Sequence, residues 1–490
     1  MSRTRLIGFA PDMDPTTPGV LTDCAAVLPS IRGMRMAPGA TSTGMAALGA
    51  ACVGAASLRS VDDSNSIFAG TATGLYKASG LSWTDVSRLV GGAYAVAAGY
   101  HWSFAQFGNV SLATNDADKL QFLTSSGSDF ENVTAAPKAA FVEVVGQFVF
   151  LADTNDGVNI EHDRWWCCAS GDYTDWTPSI VTECAKGRLV SSPGPILGLK
   201  KFGEQIIAYK ARSMFIGTYV GAPEIWRFQE VPAQIGAVSD RAVANIGTDA
   251  YPKHIFMGAD DIYVFDGSRP TPIGAGFVRE YIYNSIEASR LRNCIASHDP
   301  VNSLVYFYYH TTDAATLNAC VVYNYKTNRW GVDDRTIECA FEYSTPGLTY
   351  DDLGTYYATY DDLPNVSYDS AFFAADARSI GVFNTSHVLN QLTSTSVTSH
   401  FTTGDMGDEA NFSVLSRVRP LYLTAPTTAQ MTNYYRNNLG ESLTTDTTTT
   451  YSSGKFDVLR SARWHRLKFT MTGNWEQSEM NVYASTEGDQ

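Results

Sequence analysis

The sequence predicts an all-β chain organised around a β-propeller. Three observations carry this. First, one short pattern occurs three times: Ser79-Gly80-Leu81-Ser82-Trp83-Thr84-Asp85, Ser126-Gly127-Ser128-Asp129-Phe130-Glu131-Asn132 and Ser170-Gly171-Asp172-Tyr173-Thr174-Asp175-Trp176. Each is a Ser-Gly turn followed within a few residues by an aromatic and an acidic or amide residue. Second, the copies start 47 and 44 residues apart, the period of a four-stranded propeller blade. Third, strand-like runs and turns alternate from Ser66 onward without a long amphipathic helix. Ser-Gly turns are common in β proteins, so the weight falls on the spacing. A blade of this size buries too little surface alone and must stack around an axis.

Residues 1–60 are rich in Gly, Pro and small side chains, and Pro11-Asp12-Met13-Asp14-Pro15 cannot be helical. They read as an extended arm with first strands such as Cys24–Leu28. Residues 61–345 hold the blades. Each repeat follows a strand run: Leu75–Ala78, Leu120–Leu123 and Arg164–Cys168. Phe141–Val145 and Gln147–Leu151 form a hairpin about Gly146, and Asp266-Gly267 closes another strand. Phe277–Ile282 is the best short-helix segment. Asn328-Arg329-Trp330 repeats the aromatic ending of the earlier copies. Residues 346–370 are acidic and Tyr-rich and read as an insertion or linker. Residues 371–490 return to β structure; Thr444–Thr450 reads as a loop tip or a plain edge strand.

The chain has 490 residues and 44% hydrophobic content, enough for a sizeable core. Its formal charge of −15 argues against tight binding to nucleic acid, whose phosphates it repels. The positive charge is locally dense only in Lys455–Arg466. Met1–Leu6 has no apolar run of signal-peptide type, and no run of 18 apolar residues marks a membrane span. The eight cysteines lack C-x-x-C spacing and are expected to be reduced core residues.

The motifs of zinc peptidases, Walker nucleotide sites, dinucleotide folds and nucleophile elbows are missing. Asp153-Thr154-Asn155-Asp156-Gly157 has some character of a calcium loop, but Arg164 stands where the bidentate Glu belongs. A solvated hairpin turn is the expected reading. Catalytic, cofactor and metal residues are therefore assigned as none. Ser170-Gly171-Asp172 with Trp176 partly matches the turn boxes of propeller sialidases, but Arg212, Arg227, Arg241 and Arg279 have no spacing that marks a carboxylate-binding cluster.

Four segments in order resemble the tail nozzle (hub) proteins of short-tailed bacteriophages. These are Arg164-Trp165-Trp166 before Asp175-Trp176-Thr177-Pro178, Gly258–Gly274 with its Asp266-Gly267 turn, His298-Asp299-Pro300-Val301-Asn302-Ser303-Leu304-Val305, and Ser461–Arg466. Together they span roughly residues 65–480. Asp261, and the pair Cys167-Cys168, depart from the family's usual residues. The resemblance implies a propeller with an additional β-rich platform domain and no enzymatic activity. It also implies a place in the virion tail, after assembly in the host cytoplasm. The expected assembly is a homohexamer docked on a head-to-tail adaptor and on tail fibre, spike or needle proteins, with genomic double-stranded DNA passing through. On that reading the insertion, with Tyr350, Asp351, Asp352, Tyr360, Asp361 and Asp362, is the candidate channel gate. Lys455, Arg460, Arg463 and Arg466 are candidate contacts to a neighbouring subunit or the adaptor. The alternative is a propeller-type tail glycosidase or glycan-binding receptor protein.

Overall fold

The structure is a computed structural model and describes residues 2–344, 359, 378–394 and 398–488. It is an all-β chain with a six-bladed propeller arrangement and further sheets beyond the blades. Five blades are sequential antiparallel meanders of four strands. They run from Gly54–Arg59 to Ser82–Asp85, Ser103–Phe107 to Glu131–Asn132, Lys138–Val145 to Ala185–Arg188, Gly198–Phe202 to Ile225–Glu230, and Val243–Asn245 to Thr271–Pro272. The sixth takes Cys339–Ser344, Arg378–Phe383 and Leu389–Ser394 and then borrows Gly39–Ser42, from before the first blade. Asn390 pairs with Ser42 and Gln391 with Thr41. The ring is thus clasped by a strand from the far end of the chain.

Between the fifth and sixth blades stands another four-strand meander, Ile295–Asp299 to Arg329–Asp333. Its first strand packs against the inner strands of both neighbours. Its last strand continues outward by pairing Val332 with Val27. It therefore belongs both to the circle and to a ten-stranded sheet that holds Met34–Met36, Phe412–Thr424, Phe456–Ala462 and Glu476–Gly488. A seven-stranded sheet of Gly8–Phe9, Val20–Ala25, Ser399–Thr403, Trp464–Thr472, Thr428–Arg436 and Thr444–Thr450, with Met406–Gly407 off its path, completes the platform. Thr444–Thr450 is its edge strand. Phe401, Phe456, Phe469 and Trp475 fill one core together with Ile255, Met257 and Ile262 of the fifth blade. Platform and propeller share that core, so neither buries its apolar face alone.

The repeat seen in the sequence has one structural meaning. Ser79-Gly80, Ser126-Gly127 and Ser170-Gly171 each join the third and fourth strands of successive blades. Gly80 and Gly171 take positive φ there, which a Cβ would strain. Phe130 and Trp176 are fully buried beneath their turns, and Trp83 donates its indole N–H to the Ala46 carbonyl. Trp330 holds the same place in the junction meander and is also buried.

Trp102 locks the first blade to the second. It precedes the inner strand Ser103–Phe107 and donates Nε1–H to the Thr71 carbonyl at 2.8 Å. Gly70 makes room for it: a Cβ at that position would lie 2.1 Å from Trp102 Cδ1. Gly70→Ala is expected to cost about 1–3 kcal/mol by overpacking. The check is the urea unfolding midpoint; an unchanged midpoint would mean that the two blades part easily.

Candidate functional site

Propeller blades bring their innermost strands together around one axis, so that is where distant residues meet. His101 leads into the inner strand of the second blade, and Asp240 lies just before that of the fifth. These blades are not neighbours, yet His101 Nε2 lies 2.6 Å from Asp240 Oδ1, and both side chains are buried. The pair therefore spans the axis. The fourth blade closes in behind it: a Cβ on Gly198 would sit 2.6 Å from Asp240 Cα. Burial works against the Asp240 carboxylate, but His101, Lys200 and Arg241 hold it below the usual range. Burial pushes His101 down.

Farther along the inner strands lie Glu143, Lys200, His298 and Glu342. Burial raises the Glu143 carboxyl, with Lys200 opposing it. Glu342 remains more than half open to solvent, yet burial lifts it to about 7 against the pull of Arg378 and Lys200. Solvent reaches the carboxyl, but protein on several sides limits how well it is solvated. At one end of these inner strands the buried His101–Asp240 pair closes the centre.

The loop that resembled a calcium site is organised by an arginine. Arg164 is 4% exposed at its side chain; its Nη1 meets Asp156 at 2.9 Å and Glu161 at 2.8 Å. Its other nitrogens reach Thr154 and the Asn159 carbonyl. The guanidinium fills the place a cation would take, and satisfies the loop's oxygens. Among the described residues no group of three or more His, Cys, Asp or Glu could hold a metal. Nearby, Arg188 grips Asp163 at 2.8 and 3.0 Å, and His162 Nδ1 lies 2.5 Å from Asp153.

Tyr350, Asp351, Asp352, Tyr360, Asp361 and Asp362 lie outside the described residues. The four C-terminal cations fall in the platform, and Lys455, Arg460 and Arg466 meet carboxylates of their own chain. Lys455 Nζ is 2.7 Å from Asp457; Arg460 binds Asp446 at 2.7 and 3.0 Å while covering the Tyr435 ring. Arg466 binds Asp405 at 2.7 and 3.0 Å. Arg463 lies over the Phe412 ring. The stretch is basic in sequence but largely neutralised in space. The eight cysteines are buried and unpaired.

Sequence reasoning did not find the His101–Asp240 pair. No local pattern joins two residues from opposite sides of a ring. The His298-Asp299-Pro300 segment, in contrast, falls at the end of an inner strand, Ile295–Asp299.

Fold and site define a class: a clasped β-propeller with a buried His–Asp pair across its axis, fused to a two-sheet platform. No family model matches the chain, and no curated protein matches it. Among the described residues no helix is long and apolar enough to cross a membrane.

Proposed function

We propose that the chain is a structural subunit of a phage tail nozzle, six copies of which enclose the DNA exit channel. The observation that carries this reading is the closed propeller axis. A duplex cannot thread a single propeller whose centre is filled by His101 and Asp240, so a channel must lie between copies. The interwoven platform supports the same reading, because strands from both ends of the chain tie ring and platform into one body. The charge of −15 per chain, with the Lys455–Arg466 cations neutralised internally, favours a lumen past which phosphates slide without sticking. Electron cryomicroscopy of the assembled particle is the test. Six copies around the exit channel, with a lumen lined mainly by acidic and neutral groups, are expected. A chain missing from the particle, or particles that keep their genome without it, would overturn the proposal.

One observation favours a second reading, a propeller glycosidase. Glu143 and Glu342, on the inner strands Lys138–Val145 and Cys339–Ser344, are two raised carboxyls, and a carboxyl near 7 is suited to general-acid work. It requires new reducing ends when host polysaccharide is incubated with the protein, and their loss in Glu342→Gln. Polysaccharide left intact by the wild-type chain rejects it.

A further inference from the structure

A groove of about 1150 Å³ opens where the first hairpin turns of the third and fourth blades meet the Asp249–Pro252 loop of the fifth. It lies at the ends of the inner strands that carry Val145 and Lys201 and plays no part in the ring proposal. Its wall is aromatic. Tyr219 is 44% exposed, yet its ring is held in place. Its hydroxyl donates to Glu183 Oε1 at 2.7 Å, and its ring packs against Phe148 at 5.5 Å and Trp226 at 5.6 Å. A large ring held by two aromatic neighbours yet left partly exposed offers contact area at little entropic cost.

Trp226 supplies the second observation. It lines the groove and is only 4% exposed, and its Nε1–H has no hydrogen-bond partner among the described residues. A buried donor without a partner is costly and calls for a missing acceptor. Around these rings stand Gln147, Gln205 and Glu204, which give amide and carboxylate groups to the rim. Lys201 is taken by Asp249 at 3.0 Å, so the rim carries no free cation to draw an anion.

We propose that this groove binds a neutral saccharide, with Tyr219 stacking on a sugar ring and the Trp226 indole donating to a sugar hydroxyl. Polyhydroxylated rings have an apolar C–H face and a polar edge, which is the division this groove presents. Proline-rich peptide is the other chemistry that aromatic grooves accept. It is disfavoured because the Tyr219 hydroxyl is already committed to Glu183 and cannot donate to a peptide carbonyl.

The test is titration of the full chain with neutral gluco- and manno-oligosaccharides, sialyllactose and a polyproline peptide, followed by saturation-transfer NMR and tryptophan fluorescence. A neutral oligosaccharide is expected to bind best. Tyr219→Ala should weaken it by about tenfold or more, and Trp226→Phe, which keeps the ring and removes the N–H, by up to about tenfold. Tyr219 is half exposed, so its variant should fold; an unchanged unfolding midpoint checks this, and Glu204→Gln provides a second, conservative variant that should also weaken binding. Affinity unchanged by Tyr219→Ala overturns the proposal. So does tighter binding of sialyllactose or of the peptide, or no sugar binding at millimolar concentration.

Discussion

Asp405→Ala is expected to lower the stability of the chain by about 3–5 kcal/mol, the cost of leaving buried cations without their partner. The Asp405 side chain is 0% exposed and is shared by two arginines, Arg436 and Arg466. They project from Thr428–Arg436 and Trp464–Thr472, adjacent strands that pair Tyr434 with Arg466. Asp405 itself directly precedes Met406–Gly407, whose residues bridge to His465 and Trp464. One carboxylate therefore holds three segments of the seven-stranded sheet. Arg436 keeps two carbonyl acceptors, Leu439 and Glu441, when Asp405 is removed, whereas Arg466 loses both of its bidentate bonds. Most of the loss should then trace to Arg466. Adding Arg466→Met to Asp405→Ala should recover part of it, since an apolar side chain needs no counter-charge. Chemical denaturation of the three proteins measures this. A loss below about 1 kcal/mol for Asp405→Ala would mean that solvent enters and screens the cluster as at a surface.

That cluster also marks the boundary of what the sequence could reveal. Lys455, Arg460, Arg463 and Arg466 read as a basic stretch because their partners are remote in the chain. Asp446 and Asp405 come alongside only when three strands align, and strand alignment is set by long-range pairing rather than by local composition. The Ser-Gly turns were legible for the opposite reason: a turn's chemistry is local, and so is the order of strands within a meander. The clasp was not legible. Gly39–Ser42 pairs with Leu389–Ser394, some 350 residues onward, and four small residues carry little strand signal. Arg164 was visible at position 12 of a calcium-like loop, but as a missing ligand. The structure makes it the occupant. An unpaired N–H such as that of Trp226 has no signature in sequence.

His254→Gln is expected to flatten the acid side of the stability profile. His254 is buried on the strand His254–Met257, edge-on to Phe202, with ring centroids 5.0 Å apart. Nε2 lies 2.9 Å from the Lys201 carbonyl, which can only accept, so Nε2 carries the proton. Nδ1 then accepts from the Tyr209 hydroxyl at 2.8 Å. Both ring nitrogens are satisfied by the neutral form. A second proton on Nδ1 would face the Tyr209 O–H and place a charge in an apolar pocket near Lys200. Burial, aided by Lys200, lowers the imidazole to about 3. Its ordinary value is about 6.5. The folded value lies below the unfolded one, so the unfolded chain takes the proton first as pH falls. The stabilisation is complete above about pH 6.5 and is lost on descent toward about pH 3, at about 1.4 kcal/mol per pH unit. His298, lowered to about 4 chiefly by burial, adds to the same slope. Glu342, raised to about 7, acts in the opposite sense: its contribution is present at low pH and is lost as pH rises through about 7. The difference between wild type and His254→Gln removes these shared terms. Gln can still donate to Lys201 and accept from Tyr209, so the variant should fold. Its stability relative to wild type should be constant above about pH 6.5 and improve by about 1.4 kcal/mol for each unit below about pH 6. Urea unfolding at a series of pH values decides the matter; two parallel curves through this window would show that His254 protonates in the folded chain as readily as in the unfolded one.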